Sequence, residues 1–234
     1  MIRSAYVSTA RLLGRMTDRI GLTQALEARP GHASRYVRSL FAIYDVDRML
    51  RLDVPWWTFR AIEEVERHLA ARRGMARVFE FGSGASTVWL ARRSAEVHSV
   101  EHDATFADQM LDAARSSGAR LLVVPATPSD RPNTPSKRRG HEGLDFSRYV
   151  ATIDDVGGLF DLIVIDGRAR TAALQRSVHH LAPGGLVVFD DAWRVRYRPA
   201  MSSSSLAFTR TVGLAPALPY PSCTALGRSP SPNQ

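Results

Sequence analysis

One short stretch constrains the fold of this chain more than any other. Residues 78–87 read Val-Phe-Glu-Phe-Gly-Ser-Gly-Ala-Ser-Thr. Its apolar start is typical of a buried strand, Gly82 and Gly84 permit a tight turn, and Ser86 or Thr87 can cap a helix that follows. A strand, a glycine turn and a helix in this order indicate the nucleotide-binding half of a doubly wound α/β sheet.

Two carboxylates give this turn a chemical character. Glu80 lies inside the strand end, where dinucleotide-binding fingerprints usually carry a small apolar residue, so the turn suits an amino-acid ammonium group better than a pyrophosphate. Glu101 ends the next apolar run, about twenty residues further on, where an acid commonly holds the hydroxyls of a ribose. An alternative for Glu80 is that it ties down the glycine turn by accepting backbone hydrogen bonds.

Strand-like and helical segments alternate along most of the chain. Apolar runs rich in Val, Ile and Leu lie at 76–81, 96–101, 119–125, 160–166 and 185–190. Helical stretches lie near 86–95, 103–117 and 170–182. This alternation predicts a parallel sheet, and the continuous apolar character of its strands indicates that both faces of the sheet are covered.

The Glu-x-Gly-x-Gly pattern with its downstream Glu resembles motif I and its successor in the class I S-adenosylmethionine-dependent methyltransferases. Residues 160–168 and 181–191 resemble the fourth and fifth strands of that fold, and the resemblance covers residues 55–227. It implies a Rossmann-like α/β fold with a seven-stranded, mostly parallel sheet and helices on both faces. It also implies S-adenosylmethionine as the cofactor, bound by Glu80, Gly82, Ser83, Gly84, Ser86, Thr87, Glu101, His102 and Asp166.

Three aspartates after the later strands are the predicted catalytic residues. Asp166, Asp190 and Asp191 resemble the metal-binding trio of catechol O-methyltransferase-like enzymes, which implies Mg²⁺ held against the acceptor oxygens. Those enzymes usually carry Asp-Asn at the second position, whereas this chain has two aspartates there. In the alternative interpretation, Asp191 caps the next turn and Asp190 is a general base that acts without a metal.

Arginines stand beside these acids, at positions 168, 170 and 194. This pattern resembles sugar- or polysaccharide-modifying O-methyltransferases. The arginines can bind an acidic or polyol acceptor, or they can neutralise the aspartates in ion pairs. We therefore expect a methyltransferase that acts on a hydroxyl of a small molecule or glycan. The alternatives are aminopropyl transfer and a non-catalytic binding module.

Charge and composition indicate which classes of binding partner and which cellular compartment to expect. The net charge of +8 comes from scattered basic residues, which favours a solvated surface over a nucleic-acid footprint. An Asn/Asp-Pro-Pro-aromatic tetrapeptide and a Pro-Cys dipeptide, both typical of nucleic-acid methylation, are missing, so no nucleic-acid partner is expected. The lone Cys223 rules out an internal disulfide framework. Together with an N-terminus that lacks a secretory apolar segment, this predicts a cytoplasmic protein.

The chain divides into an N-terminal helical extension over residues 1–54, a methyltransferase domain over 55–228 and a disordered tail over 229–234. The amphipathic, basic residues 1–29 predict a helix that contacts an anionic membrane surface, the domain itself or a second subunit of a homo-oligomer. Residues 126–144 form a long, proline-rich loop that is typical of a lid or an acceptor-recognition segment. Trp56 and Trp57 are candidates for a lip over the cofactor or for the core.

Overall fold

The computed structural model describes residues 32–40, 42 and 46–229. The helix predicted for residues 1–29 therefore lies outside the described residues, as do residues 230–234 of the predicted tail. The boundary predicted between the extension and the domain stays a prediction.

The strands form one large sheet and a small ladder. They are β1 (Arg77–Phe81), β2 (Glu96–Glu101), β3 (Arg120–Val123), β4 (Thr127–Pro128), β5 (Leu144–Asp145), β6 (Phe160–Ile165), β7 (Leu181–Phe189), β8 (Ala207–Gly213) and β9 (Ser222–Arg228). The large sheet has seven strands in the order β3-β2-β1-β6-β7-β9-β8. Neighbouring strands from β3 to β7 are parallel, and β9 runs antiparallel to both β7 and β8. The predicted fold class is confirmed, although the apolar runs had not located β8 and β9.

Helices cover both faces of this sheet. They are α1 (His32–Leu40), α2 (Val46–Leu52), α3 (Phe59–Ala71), α4 (Ala85–Ala91), α5 (Ala104–Ser117), α6 (Ser147–Val156), α7 (Arg170–Ser177) and α8 (Arg198–Ser203). Short 3₁₀ turns at Val178–His180 and Val195–Tyr197 precede β7 and α8. In the part of the chain that the structure describes, no helix has the length and apolar character needed to cross a bilayer.

Alternate residues of the central strands enter two different cores, which explains why those strands are apolar throughout. One core contains Phe79, Phe81, Ile163, Ile165 and Phe189 with side chains from α6, α7 and α8. The other contains Val78, Leu162, Val164 and Val188 with Trp57, Trp89 and side chains from α3, α4 and α5. Trp57 is therefore a core residue. Trp56 is half-buried.

The long loop between β3 and α6 has structure of its own. The short antiparallel strands β4 and β5 pair within it, and the main chain of Ser129 donates a hydrogen bond to the carbonyl of Gly143 at 2.8 Å. The backbone N–H of Asn133 donates to Asp145 Oδ2 at 2.5 Å. These contacts fold the loop back onto the start of α6 rather than leaving it extended.

Two glycines bring the turns after β1 and β6 into direct contact. Gly82 has a φ of +95°, and a Cβ added there would lie 2.7 Å from Gly167 Cα. A Cβ on Gly167 would overlap the hydroxyl oxygen of Tyr149, which has no hydrogen-bond partner among the described residues. Two neighbouring strand ends can approach this closely because neither turn carries a side chain at the contact.

We expect Gly167→Ala to destabilise the fold by about 1–3 kcal/mol, because the added methyl group overpacks this contact. Urea unfolding followed by circular dichroism measures the effect. Gly213→Ala is the matched control, since a Cβ at that position of β8 meets no atom within 4 Å.

Tyr149→Phe should restore part of the lost stability in the double variant, because it removes the oxygen that the new methyl group meets. A Gly167→Ala protein as stable as Gly213→Ala would contradict this account of the contact.

Candidate active site

The structure brings the predicted acids to one edge of the sheet. Glu80 and Glu101 lie at the carboxyl ends of β1 and β2, Asp166 directly follows β6, and Asp190 directly follows β7. Ligands of open parallel sheets bind at this edge. These acids differ, however, in the hydrogen-bond and ion-pair partners that each one has, and therefore in the chemistry that each one can perform.

Glu80 is fully buried and is held by three hydroxyl groups. Ser86 Oγ donates to Glu80 Oε1 at 2.5 Å, while Thr87 Oγ1 and Ser99 Oγ donate to Oε2 at 2.6 and 2.8 Å. The backbone N–H of Gly84 in turn donates to Thr87 Oγ1 at 3.0 Å. Glu80 thus ties β1 to β2 and to the first turn of α4.

This arrangement refines two predictions. Gly84, rather than Ser86 or Thr87, is the N-cap of α4, and Thr87 occupies the third helical position. The alternative role of Glu80 in securing the glycine turn matches the geometry, although hydroxyl groups rather than backbone amides supply its hydrogen bonds. Burial raises the pKa of Glu80 to about 7 despite these three hydroxyl bonds.

Glu101 is also buried, but backbone amides supply most of its hydrogen bonds. Oε1 accepts from the amides of His102 and Asp103 at 2.7 and 2.9 Å, and Oε2 accepts from the amide and hydroxyl of Ser83 at 3.0 and 3.1 Å. Burial alone would raise the pKa of Glu101, but His102 and the amides of Asp103 and Ser83 outweigh it and hold the pKa below its ordinary value. Glu101 is therefore an ionised carboxylate that closes the glycine turn against β2.

His102 connects this carboxylate to the long loop. Its Nδ1 lies 2.5 Å from Glu101 Oε1, without the alignment of a hydrogen bond. Its ring centroid lies 5.4 Å from that of His141 and 5.7 Å from that of Phe146. Burial, together with His102 and nearby Arg138, lowers the pKa of His141. The loop thus packs its His141 ring beside the end of β2.

A cavity of about 340 Å³ opens beside the glycine turn, a size in the range of small-molecule sites. Its lining residues are Met49, Trp56, Ser83, Gly84, Ala85, Ser86, Phe106, Gln109, Met110 and Asp166. Of the predicted cofactor residues, Ser83, Gly84, Ser86 and Asp166 line this cavity, whereas Glu80, Gly82, Thr87, Glu101 and His102 do not.

Sequence reasoning missed the walls that α2 and α5 contribute to this cavity. Phe106 and Met110 are four positions apart on α5, next to Gln109. Their i, i+4 spacing places them on one helix face, and this was the available signal. Met49 gave no comparable signal.

Arg170, one of the arginines that the sequence placed beside these acids, contacts the turns after both β6 and β7. Its Nη2 donates to the main-chain oxygen of Asp166 at 2.9 Å and to Asp166 Oδ1 at 2.7 Å, and its Nε donates to the Gly167 carbonyl at 3.2 Å. Its Nη1 donates to the Asp190 carbonyl and lies 3.8 Å from Asp190 Oδ2. One buried guanidinium group therefore joins the turns that follow β6 and β7.

The carboxyl groups of Asp166 and Asp190 form a coupled pair beside this arginine. The two side chains influence each other's pKa, and Thr224 Oγ1 donates to Asp190 Oδ1 at 3.0 Å. Burial raises the pKa of both acids, and the neighbouring Asp166 carboxyl raises that of Asp190 further, to about 8, against the influence of Arg170. Because each carboxyl disfavours ionisation of the other, we expect the pair to keep one proton near neutral pH.

Asp191 pairs with a different arginine from the one that contacts Asp166 and Asp190. It adopts a left-handed backbone conformation with a φ of +57° and forms an ion pair with Arg194. Arg170 and Arg194 thus neutralise the aspartates, as one of the two interpretations of the arginines predicted.

The predicted metal trio does not fit this arrangement. Among the described residues, no three His, Cys, Asp or Glu side chains are placed to hold a metal ion. The guanidinium of Arg170 takes up Asp166, and Asp191 is paired with Arg194. We therefore derive no catalytic step through Mg²⁺.

Removing the Glu80 charge should change how stability depends on pH. The folded pKa of about 7 exceeds the ordinary value of 4.5, so the folded state binds this proton more tightly than the unfolded state does. The resulting stabilisation is complete below the unfolded pKa and is lost as pH rises through the folded pKa. A difference of this size corresponds to roughly 3 kcal/mol.

Urea unfolding of the wild type and Glu80→Gln at several pH values between about 4.5 and 8 tests this expectation. The stability of the wild type relative to the variant should fall across that interval. A difference that does not change with pH would show that Glu80 keeps an ordinary pKa in the folded protein.

Comparisons with known proteins agree with this architecture. The profile of a family described as "Methyltransferase domain" matches residues 79–192, which run from β1 to the turn after β7. No curated protein matches the sequence.

Comparison with solved structures finds similar proteins at low sequence identity. Cofactor-bound Rv0187 from MTB is 18% identical, with a TM-score of 0.55 over 80% of this chain and 88% of that chain. The N-methyltransferase NodS from Bradyrhizobium japonicum WM9 is 19% identical, with a TM-score of 0.47 over 72% and 97% of the two chains. An rRNA methylase from Streptococcus thermophilus is 12% identical, with a TM-score of 0.46 over 72% and 96%.

At these identities the solved structures speak to the fold alone, while the family match covers the strands that carry the acids described above. Residues 79–192 of this chain therefore match a methyltransferase domain, and the seven-stranded sheet agrees with the one that the resemblance to class I S-adenosylmethionine-dependent methyltransferases implied.

Proposed function

We propose that this protein transfers a methyl group from S-adenosylmethionine to a hydroxyl oxygen of a small-molecule or glycan acceptor. The observation that carries the proposal is the Asp166–Asp190 pair, a partly buried acid pair with raised pKa values, of which Asp166 lines the cavity beside the glycine turn. A hydroxyl group is a poor nucleophile at neutral pH and needs a proton acceptor as it attacks. On this proposal the pair is that acceptor.

On this proposal the cofactor occupies the cavity between the glycine turn and α5. The open side of Gly84, where an added Cβ would meet only Ser86 Oγ at 3.9 Å, leaves room for the ligand. Phe106 and Met110 supply an apolar wall. Glu101 lies behind Ser83, and it reaches the ribose hydroxyls once they replace the Ser83 hydroxyl as its hydrogen-bond donors.

The sulfonium of the bound cofactor supplies an electrophilic methyl group. The acceptor oxygen would bond to the methyl carbon, the electron pair of the breaking carbon–sulfur bond would stay on sulfur, and the hydroxyl proton would pass to the carboxylate of the Asp166–Asp190 pair. Arg170 keeps the pair singly charged and fixes its position through both adjoining turns. Thr224 holds the Asp190 carboxyl group on its far side.

The charges at this edge also weigh on the alternatives. Aminopropyl transfer requires a polyamine acceptor, which an uncompensated acidic rim would attract. Here Arg170 and Arg194 neutralise the rim instead, which disfavours a cationic acceptor. Acid pairs with raised pKa values concentrate at functional sites, which favours a catalytic role over a non-catalytic module. Turnover measurements decide between these alternatives.

Glu101→Ala should weaken binding of S-adenosylhomocysteine by about 1.5–3 kcal/mol, at least tenfold, because it removes charge-assisted hydrogen bonds to the ribose. Isothermal titration measures the affinity. Glu96→Ala is the matched control, since Glu96 begins the same strand at the opposite edge of the sheet and pairs with Arg77.

Loss of the Glu101 contacts to Ser83 would also loosen the turn, so a second ligand separates the two effects. The 2′,3′-dideoxy analogue of S-adenosylhomocysteine should bind the wild type weakly and should lose little further affinity in Glu101→Ala. Equal losses for both ligands would remove Glu101 from ribose recognition.

Asp190→Asn should lower kcat by a factor on the order of a hundred or more while cofactor affinity is retained, because the amide still accepts from Thr224 but takes up no proton. Asp191→Asn is the control and should leave kcat within a few-fold of the wild type.

A chelator should leave wild-type turnover unchanged, since Arg170 rather than a metal balances the acid pair. Loss of activity in chelator, with recovery on adding Mg²⁺, would restore the metal-assisted mechanism. Full activity of Asp190→Asn would remove the pair from catalysis.

A further inference from the structure

The segment that follows the catalytic edge exposes large apolar side chains. Trp193 is 55% exposed and Val195 is 68% exposed, whereas Trp57 and Trp89 are 0% and 1% exposed. Exposed apolar side chains clustered beside a ligand-binding edge often mark a binding surface. We call the residues Trp193, Arg194, Val195, Arg196 and Arg198 the Trp193 patch.

The backbone holds this patch outward by fixing both of its ends. The main chain of Ala192 is buried and donates to the Cys223 carbonyl at 2.9 Å. Tyr197 is buried, and its ring centroid lies 5.1 Å from that of Phe189. Because Ala192 and Tyr197 are anchored in the sheet and its core, the residues between them are presented to solvent in a preformed arrangement.

The patch is also positively charged. From Asp191 to Arg198 the chain carries three arginines and one aspartate. Arg194 pairs with that aspartate, and Arg196 stacks on the ring of Tyr197, with Cζ 4.9 Å from the ring centroid. The side chain of Arg198 is exposed and makes no hydrogen bond or ion pair with the described residues. Its guanidinium group is free to bind an anion.

These features together suit an acidic sugar. The flat face of an exposed indole packs against the apolar face of a pyranose ring, and a guanidinium group binds a carboxylate or sulfate bidentately. Single-stranded nucleic acid would instead call for several aromatic side chains in succession along a basic groove, whereas the patch carries one exposed aromatic ring. Its phosphates would also meet the charged Asp166–Asp190 pair.

We infer that the Trp193 patch binds an anionic oligosaccharide and presents one of its hydroxyl groups to Asp190, three positions before Trp193. The inference rests on the proposed function and names the acceptor class for the same site. Trp193 and Arg198 are the specificity-determining residues, and neither takes part in proton transfer.

Binding assays without any methyl transfer test this inference. The probes are a galacturonan tetramer and a heparin tetramer, with a neutral galactan tetramer and a single-stranded RNA of similar length as comparisons. They are titrated into the protein saturated with S-adenosylhomocysteine, and affinity is followed by calorimetry. At least one acidic tetramer should bind about tenfold or more tightly than the neutral one.

Trp193→Ala and Arg198→Gln should each weaken that binding about tenfold while leaving cofactor affinity and thermal stability unchanged. Met75→Ala is the matched control, since Met75 is an exposed apolar side chain just before β1, at the opposite edge of the sheet. It should have no effect on either affinity.

Binding of neither acidic tetramer, equal binding of the neutral one, or tighter Trp193-dependent binding of RNA would each overturn the inference. Binding without methyl transfer would overturn the proposed function and leave the patch standing. Methyl transfer to another hydroxyl compound, without binding of the tetramers, would support the proposed function and overturn the inference about the Trp193 patch.

Discussion

The contacts of Arg170 are the constraint on which the acid-bearing edge of the sheet depends. Its guanidinium group binds the main chain of Asp166, Gly167 and Asp190, so it joins two turns that belong to adjacent parallel strands. Burying such a charge is costly unless it is paired and its donors are satisfied. The acid pair meets this requirement, because two carboxyls that share a proton balance one arginine. Position and charge of the proposed proton acceptor are thus set by the same interaction.

The two glutamates around the glycine turn are held by hydrogen bonds rather than by an arginine. The carboxylate oxygens of both Glu80 and Glu101 accept hydrogen bonds from the protein itself. The donors to Glu80 are hydroxyl groups, and the donors to Glu101 are mainly backbone amides. They hold the glycine turn between β1, β2 and α4 in place before any ligand arrives. Such preorganisation lowers the entropic cost of binding. The hydroxyl of Ser83 is a contact on Glu101 Oε2 that a ribose can replace without disturbing a backbone amide.

Charge separates the two halves of the edge. The rim around Asp166, Asp190 and Asp191 is nearly neutral because Arg170 and Arg194 form ion pairs with these acids. Immediately beyond it, the Trp193 patch is positive and partly apolar. An acceptor that carries its negative charge at a distance from the reacting hydroxyl suits both surfaces at once, and this complementarity underlies the proposed class of acceptor.

The sequence by itself determined the sheet that carries the site and the edge at which the acids gather. Strand periodicity, the glycine turn and the position of Glu101 are local signals, and parallel strands bring their carboxyl ends together whatever the side chains do. The sequence left open whether the arginines bind an acceptor or neutralise acids, and its resemblance to metal-dependent enzymes favoured a trio that the geometry does not support.

Only the tertiary structure decided which partner each side chain meets. Arg170 follows β6 and contacts Asp190, which follows the adjacent β7. Thr224, on the antiparallel β9, donates a hydrogen bond to Asp190. Met49, on a helix that precedes the first strand, lines the cavity. These contacts join residues far apart in the chain, and their geometry depends on strand order and side-chain direction rather than on local pattern. The same reason explains why β8 and β9 escaped sequence reasoning. As the outer strands beyond β7, they are less uniformly apolar, and β8 is largely exposed.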